Sequence, residues 1–337
     1  MKNYFVELTE KGKSHLAQEE LDDSNLGKDE LIVKAEYSMI SAGTELSRAF
    51  AIKQGFKYPV RPGYSLVGTV VNKHPDNSEY EIGDKVFCGV SHALYSRVTP
   101  SKKTQGTIVV KVDKDLDSKE ATVLSLGQIA LSGVNLATVK AGDSVAVFGL
   151  GNIGIITCLL YKHLGCKVIG IDPVESRCKL ANKLGIANVY YGDDPISEIK
   201  KFTDDKGADI CADVTGACQA IISAINSCKK YGQVILVGSP RTSFETDVMP
   251  ILNTIHMKNL KVIGAFNETA PLKAVEGSDN SLEKNINTIS DLIITKEIDV
   301  DKMITHVVDP KDCEKAYYDL MYNKDTCSYV IFDWTKY

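Results

Sequence analysis

Two short stretches carry residue types that could do chemistry. The first, "VFGLGNIG", sets Gly149, Gly151 and Gly154 in G-x-G-x-x-G spacing. The pattern is weak alone and gains meaning where a strand precedes it and a helix follows. Here "SVAVFG" reads as the strand and the run ending near "KHLG" as the helix. In that setting Gly149 permits a tight turn, Gly151 lets the backbone approach a pyrophosphate, and Gly154 lets helix and strand pack closely, while the helix N-terminus favours the phosphate charge. Asn152 and Ile153 fill the places between. The next strand, "KVIGID", ends on Asp172. A carboxylate there accepts hydrogen bonds from ribose hydroxyls and repels a 2′-phosphate, which favours NAD over NADP. Arg177 lies just beyond and can receive such a phosphate. Asp172 also reads as a helix N-cap before "PVESR", with Pro173 at the first helical position; the two roles can coexist.

The second stretch is "ISAGTELSR" at 40–48, which places Ala42, Gly43, Thr44 and Glu45 side by side in a β-type region. What needs them together is not readable from the stretch alone; Thr44 by itself can be a strand hydroxyl bonded to the backbone.

The chain has 337 residues, 44% of them hydrophobic and 25% charged, with a net charge of −5. One large or two medium soluble domains fit that length. No run of five basic residues exists, so a nucleic-acid footprint is unsupported. The first residues, "MKNYFVELTEKGK", lack the apolar core of a secretory signal, so a cytoplasmic location is expected. The uncharged stretch 144–161 approaches membrane-span length but is broken by glycines, as a strand, turn and buried helix would be, and no membrane partner is expected. The nine cysteines include no C-x-x-C pair and read as reduced, mostly buried thiols.

These residues must be positioned by two kinds of element. Residues 1–125 hold short β-type runs, "LIVKAEYSMI", "SLVGTVV", "DKVFCGV" and "TIVVKV", separated by Gly, Pro, Asn and Asp, as in an irregular antiparallel β domain. From about 140 the chain alternates strand and helix: "KVIGID", "ESRCKLANKLG", "ANVYY", "ISEIKKFTDD", "DICADV", "CQAIISAINSC" and "QVILVG". Short unalternating apolar strands predict a doubly wound parallel sheet. After "NLKVIGAF" come a helical segment, "SLEKNINTISDLIITKE", and β-type runs "THVVD" and "CSYVIFDW" that should rejoin the first domain. The expected division is 1–125 with 267–337 for the β-rich domain and 126–266 for the Rossmann domain.

This order resembles the medium-chain dehydrogenase/reductase superfamily, the zinc alcohol dehydrogenase fold with a GroES-like β domain. The likeness spans nearly the whole chain and rests on "GTE" at 43–45, "RPGYSLVGTVV" at 61–71, "IGDKVF" at 82–87, "HALYSRV" at 92–98, "VKAGDSVAVFGLGNIG" at 139–154, "DVTG" at 213–216 and "VVDPKDCEKAY" at 307–317. The resemblance implies an NAD(P)-dependent oxidoreductase. It implies a cofactor set that adds Thr215, Gly238, Ala265 and Gln128 to the residues above, with Gln128 near the nicotinamide face or simply a satisfied helix-start residue. It also implies a homodimer through sheet edges near "NLKVIGAF".

Zinc-dependent members place ligands at three positions that here are Ala42, Tyr64 in "PGYS" and about Leu124. The four-cysteine lobe that holds a structural zinc is also missing, with only Cys88 nearby. Ala and Leu cannot ligate zinc and a lone Tyr cannot hold it, so no zinc is expected. The expected catalytic set is then Thr44 as proton relay, Tyr64 as phenol donor to the substrate oxygen, Glu45 to orient Tyr64 or act as an acid, and His92 as a further donor. Against these stand Tyr64 as packing volume and His92 as a structural residue. The "S-x-G-T-E" form is similar to a branch containing bacteriochlorophyllide-type and sugar- or polyol-type enzymes. Two reactions stay open: carbonyl/secondary-alcohol exchange on a polar sugar-, polyol- or hydroxyalkyl-type small molecule, and reduction of an activated C=C bond in an enone, quinone or dehydroamino acid of a modified peptide. A non-catalytic nucleotide-binding protein is the third reading. The loops at 49–58 and 267–280, expected to line the pocket, carry no readable substrate code.

Overall fold

The computed structural model describes residues 1–52, 55–100, 108–240, 242–276 and 280–337. Thr107, at the head of "TIVVKV", and parts of the loops at 49–58 and 267–280 lie outside the described residues. Two compact units emerge. The first holds Met1–Ser125, Leu272–Ala274 and Ser281–Tyr337, and the second Leu126–Pro271 and Val275–Asn280. The chain thus re-enters the first unit at 272–274 and again from 281, not at 267.

The first unit begins with the strands β1 (Lys2–Glu10) and β2 (Lys13–Glu20), a separate antiparallel pair. Then follow β3 (Leu31–Met39), helix α1 (Ala42–Ala49), β4 (Leu66–Lys73), β5 (Lys85–Cys88), β6 (Tyr95–Val98) and β7 (Val109–Lys111). The region expected to be β-type around Thr44 is therefore a helix. α1 is amphipathic: Glu45, Leu46, Ser47 and Ala49 are buried while Thr44 is exposed. Helical spacing, which puts positions three and four apart on one face, explains the pattern that a strand reading missed.

The second unit is built from α2 (Leu124–Leu136) past its first two residues, β8 (Ser144–Phe148), α3 (Asn152–His163), β9 (Lys167–Ile171), α4 (Glu175–Lys183), β10 (Asn188–Tyr190), α5 (Pro195–Phe202), β11 (Ala208–Asp213), α6 (Cys218–Ser227), β12 (Cys228–Leu236), α7 (Met249–Lys258) and β13 (Lys261–Gly264). Its six strands run in the order β10-β9-β8-β11-β12-β13, every pairing parallel. Ala146, Phe148, Ile169, Ile171, Cys211 and Val234 form the core beneath the helices. Covered faces explain why these strands read as unbroken apolar runs. Among the described residues no helix is long and apolar enough to cross a membrane; the stretch from 144 to 161 is strand, glycine turn and helix.

The chain then adds α8 (Leu282–Ile294), β14 (His306–Val308), α9 (Cys313–Tyr322) and β15 (Val330–Asp333) to the first unit. β15 pairs antiparallel with β3, setting Phe332 opposite Ser38, and the sheet order is β14-β15-β3-β4-β5-β7 with β6 on β3. Trp334, just past β15, is fully buried. All nine cysteines are free thiols, and only Cys218 is not fully buried.

Candidate active site

The glycine run behaves as the sequence demands. Gly149 has φ +98°, a conformation L side chains rarely take, and a Cβ there would stand 2.6 Å from the Thr215 side chain. A Cβ on Gly154 would lie 1.8 Å from the Gly149 carbonyl oxygen. Gly151 differs: its φ is −71° and a Cβ would meet nothing within 4 Å. The space over Gly151 is open, and Gly151 caps α3 with no side-chain hydrogen bond. Asn152 and Ile153 are half-buried in the first turn of α3. A helix start with open space and no side-chain cap fits a dinucleotide pyrophosphate.

Asp172 is 1% exposed. Its Oδ2 accepts from the Leu150 N–H at 2.8 Å and from the Arg177 guanidinium at 3.3 Å, and its Oδ1 accepts from the Val174 N–H at 2.8 Å. The carboxylate therefore braces the glycine turn. The N-cap expectation is corrected: the cap of α4 is Val174, and Pro173 precedes the helix. The residue satisfies the backbone bend before the helix rather than the helix itself.

Thr215 sits in a turn organised by Asp213, which the sequence reading passed over. The Asp213 oxygens accept from the Thr215 hydroxyl at 2.6 Å and from the N–H groups of Thr215 and Gly216 at 3.1 and 3.0 Å. Burial raises the Asp213 pKa, against the lowering pull of those donors. Gly238 lies against this turn, where a Cβ would come 2.1 Å from the Gly216 nitrogen. Ala265 is 2% exposed and donates its N–H to the Leu236 carbonyl. Gln128, on α2, is 4% exposed and its Oε1 has no hydrogen-bond partner. An orphaned buried acceptor of this kind suits a ligand donor such as a carboxamide N–H.

In the first unit, Glu45, Tyr64 and His92 converge on one network. Glu45 is 1% exposed and His92 fully buried. Glu45 Oε1 accepts from the Ser41 N–H at 2.7 Å, and Oε2 accepts from Tyr317 Oη at 2.6 Å and meets His92 Nε2 at 3.0 Å. Burial and the neighbouring Glu45 push the Tyr317 phenol up, so it keeps its proton and donates. His92 Nδ1 meets Ser38 Oγ at 2.8 Å, and Trp334 Nε1 donates to the same oxygen at 2.9 Å. Trp334 is donor only, so Ser38 accepts from it, and both ring nitrogens of His92 are engaged, Nδ1 with Ser38 and Nε2 with Glu45.

Tyr64 is half-buried, and its phenol shares a hydrogen bond with the Ser41 hydroxyl. Gly63 makes the approach possible: its φ is +102°, and a Cβ there would fall 2.8 Å from His92. The Ser65 hydroxyl ties the same loop to the Thr122 carbonyl at 2.6 Å.

Two expected roles change. His92 is not a donor to substrate, because it is sealed in the core with both ring nitrogens engaged and Phe332 edge-on at 5.1 Å between ring centroids. Glu45 does not orient Tyr64 directly: its buried oxygens meet the Ser41 N–H, Tyr317 Oη and His92 Nε2. Thr44 stands apart, exposed in the first turn of α1. Sequence reasoning missed Ser38, Ser41, Tyr317 and Trp334. Ser41 was within the quoted stretch, beside Ala42; the others carried no local signal.

At the three positions where the resemblance places zinc ligands, the side chains do not fit zinc. Ala42 and Leu124 offer no ligand atom, and the nearby carboxylate and imidazole are committed to each other. Among the described residues no group of three or more His, Cys, Asp or Glu side chains could hold a metal.

Comparison with known proteins accords with this geometry. Residues 27–110 match the alcohol dehydrogenase GroES-like domain, and residues 152–276 match the zinc-binding dehydrogenase family. The chain is 30% identical over 204 residues to D-guloside 3-dehydrogenase of Shigella flexneri, covering 60% of this chain and 57% of that protein. It therefore spans little more than half the length of that relative. It is 25% identical over 332 residues to an uncharacterized zinc-type alcohol dehydrogenase-like protein, YdjJ, of Escherichia coli K12, covering 88% and 89% of the two chains. Galactitol-1-phosphate dehydrogenase from Escherichia coli has the same fold, with TM-score 0.84 and 18% identity over 98% of this chain and 99% of that one. With both domain types matched in order, the chain belongs to the medium-chain dehydrogenase/reductase superfamily.

Proposed function

We propose that this chain is a zinc-independent oxidoreductase that moves hydride between NAD(H) and the carbonyl or secondary alcohol of a polar sugar-, polyol- or hydroxyalkyl-type molecule. When bound, the nicotinamide supplies the hydride. The second unit binds the dinucleotide at the open start of α3 and presents the orphaned Gln128 oxygen to it. Tyr64 supplies the proton. The observation that carries the reading is the hydrogen bond between the Tyr64 phenol and the Ser41 hydroxyl, next to Ala42; the resemblance puts Tyr64 at a position where zinc-dependent members carry a ligand. A phenol can donate to an oxygen that gains negative charge as hydride arrives. The exposed Thr44 hydroxyl remains a candidate relay.

The relatives' names favour an alcohol or sugar carbonyl over an activated C=C bond: D-guloside 3-dehydrogenase and galactitol-1-phosphate dehydrogenase both act on polyhydroxylated molecules by name. NAD is the cofactor of this reading because Asp172 closes the second strand, although Arg177 lies on its carboxylate. The nine free thiols suit the reducing cytoplasm, and a net charge of −5 suits a small-molecule partner rather than nucleic acid or a membrane surface. A second copy of the chain completes the reading as a homodimer through β13.

Metal analysis joined to turnover tests it. Purified protein should contain no stoichiometric zinc and should oxidise NADH with polar ketones and aldoses. Tyr64→Phe should lower kcat by about 100-fold or more, the usual scale for a lost general acid. Stoichiometric zinc required for turnover would sink the metal-free reading. Turnover with enones but not ketones would move the chain to the C=C class, and tight NADH binding without any turnover would leave a non-catalytic binder.

A further inference from the structure

Ser41 is the N-cap residue of α1, yet its side chain makes no cap hydrogen bond. A serine in that place ordinarily accepts from the N–H two or three residues on, and losing that bond costs a helix about 1 kcal/mol. Here the hydroxyl is turned to Tyr64 instead. The Ser41 backbone is fixed independently: its N–H donates to Glu45 Oε1 at 2.7 Å, from a carboxylate 1% exposed. Glu45 is in turn clamped by Tyr317 at 2.6 Å and His92 at 3.0 Å. A cap has been given up, and a buried scaffold holds the serine that gave it up against the candidate proton donor.

We propose that Ser41 is a positioning residue for proton transfer, its hydroxyl holding the Tyr64 phenol and stabilising the phenolate left when the substrate oxygen takes the phenol's proton. This rests on the proposed role of Tyr64. In the reductive direction hydride adds to the carbonyl carbon and the carbonyl oxygen takes the Tyr64 proton. The Ser41 O–H then donates its hydrogen bond to the phenolate oxygen, and water returns a proton to Tyr64. The net change is carbonyl plus NADH plus H⁺ to alcohol plus NAD⁺. While Tyr64 donates to the substrate, Ser41 must be the donor in the shared hydrogen bond, because each hydroxyl has one proton.

Ser41→Ala, Ser41→Thr, Tyr64→Phe and the Ser41→Ala/Tyr64→Phe pair test it. Ser41→Ala should lower kcat by about tenfold to 100-fold, the scale of one hydrogen bond to a developing charge, with KM within about twofold. Ser41→Thr, which keeps the hydroxyl, should recover most of the loss. The double variant should be no slower than Tyr64→Phe alone. In the cofactor-free protein with ring-labelled tyrosine, the Tyr64 Cζ resonance, identified by its loss in Tyr64→Phe, should move in Ser41→Ala. Wild-type kcat in Ser41→Ala, losses that multiply in the double variant, or an unmoved resonance overturns the proposal. Tyr64→Phe at wild-type kcat would instead remove Tyr64 from the reaction and this role with it. If Ser41→Ala does not fold, Ser41→Gly makes the same comparison, since glycine costs an N-cap only a few tenths of a kcal/mol.

Discussion

Removing the Glu45 carboxylate would strand three donors at once: the Ser41 N–H, the His92 imidazole and the Tyr317 phenol. His92 and Tyr317 are both within 2% of complete burial, so water cannot replace the lost acceptor. Glu45→Ala should therefore cost about 3 kcal/mol or more, read as a lower denaturation midpoint at unchanged slope. Glu45→Gln keeps one acceptor oxygen and should cost less, and Tyr317→Phe, which removes one donor, about 1–2 kcal/mol. A Glu45→Ala midpoint equal to wild type would show that the network contributes nothing. The network was not legible in the sequence. Glu45 and His92 are separated by 47 positions, and Glu45 and Tyr317 by 272. Each looks ordinary alone, and only the return of the chain through β15 and α9 brings them together. What the sequence offered at this point came from the resemblance, which puts Ala42 where zinc-dependent members carry a ligand.

At the scale of the element, the glycine turn was legible because its constraints are local. Gly149 needs its φ of +98° for the turn, and Gly154 must clear the Gly149 carbonyl five residues back. The two remaining demands separate folding from binding. A Cβ on Gly154 would meet backbone at 1.8 Å, so Gly154→Ala should destabilise the second unit outright. A Cβ on Gly151 meets no protein atom within 4 Å and its φ is −71°, so Gly151→Ala should fold as wild type. That added methyl would fill the space above the start of α3. We expect Gly151→Ala to keep the cofactor-free melting temperature within about 2 °C, a shift of well under 1 kcal/mol, and to weaken NADH binding at least tenfold, or about 1.4 kcal/mol. Calorimetric titration reads both the affinity and its loss. Unchanged NADH affinity would move the pyrophosphate away from this turn. α1 was misread because "ISAGTELSR" mixes glycine, threonine and serine, weak helix formers. Its buried face, Glu45, Leu46 and Ala49, decides the conformation through packing that propensity does not record.

For the whole molecule, the parallel sheet was readable from alternation, but its edge was not, since strand order depends on which strands pair across the fold. β13 forms that edge, and its residues Lys261, Val262 and Gly264 are exposed. Beside it in sequence α7 buries none of its ten residues, although Met249, Leu252 and Met257 are 65%, 52% and 65% exposed. Phe266, just past the strand, is 55% exposed. α7 packs Ile251 and Ile255 on the core and turns the other apolar side chains outward; a strand edge unpaired among the described residues, beside such side chains, is a feature that proteins ordinarily cover. A second copy of β13, pairing edge to edge, would satisfy the open N–H and C=O groups and bury these side chains together. A stable interface of this kind covers at least about 1,000 Å². Light scattering coupled to gel filtration should therefore give twice the chain mass of 36.8 kDa at micromolar concentration. Val262→Lys combined with Leu252→Asp places charges on both exposed features and leaves the buried core of the second unit untouched, so the variant should run as a folded monomer. A wild-type chain at 36.8 kDa, or a double variant still dimeric, would show that the uncovered edge serves no second copy of this chain.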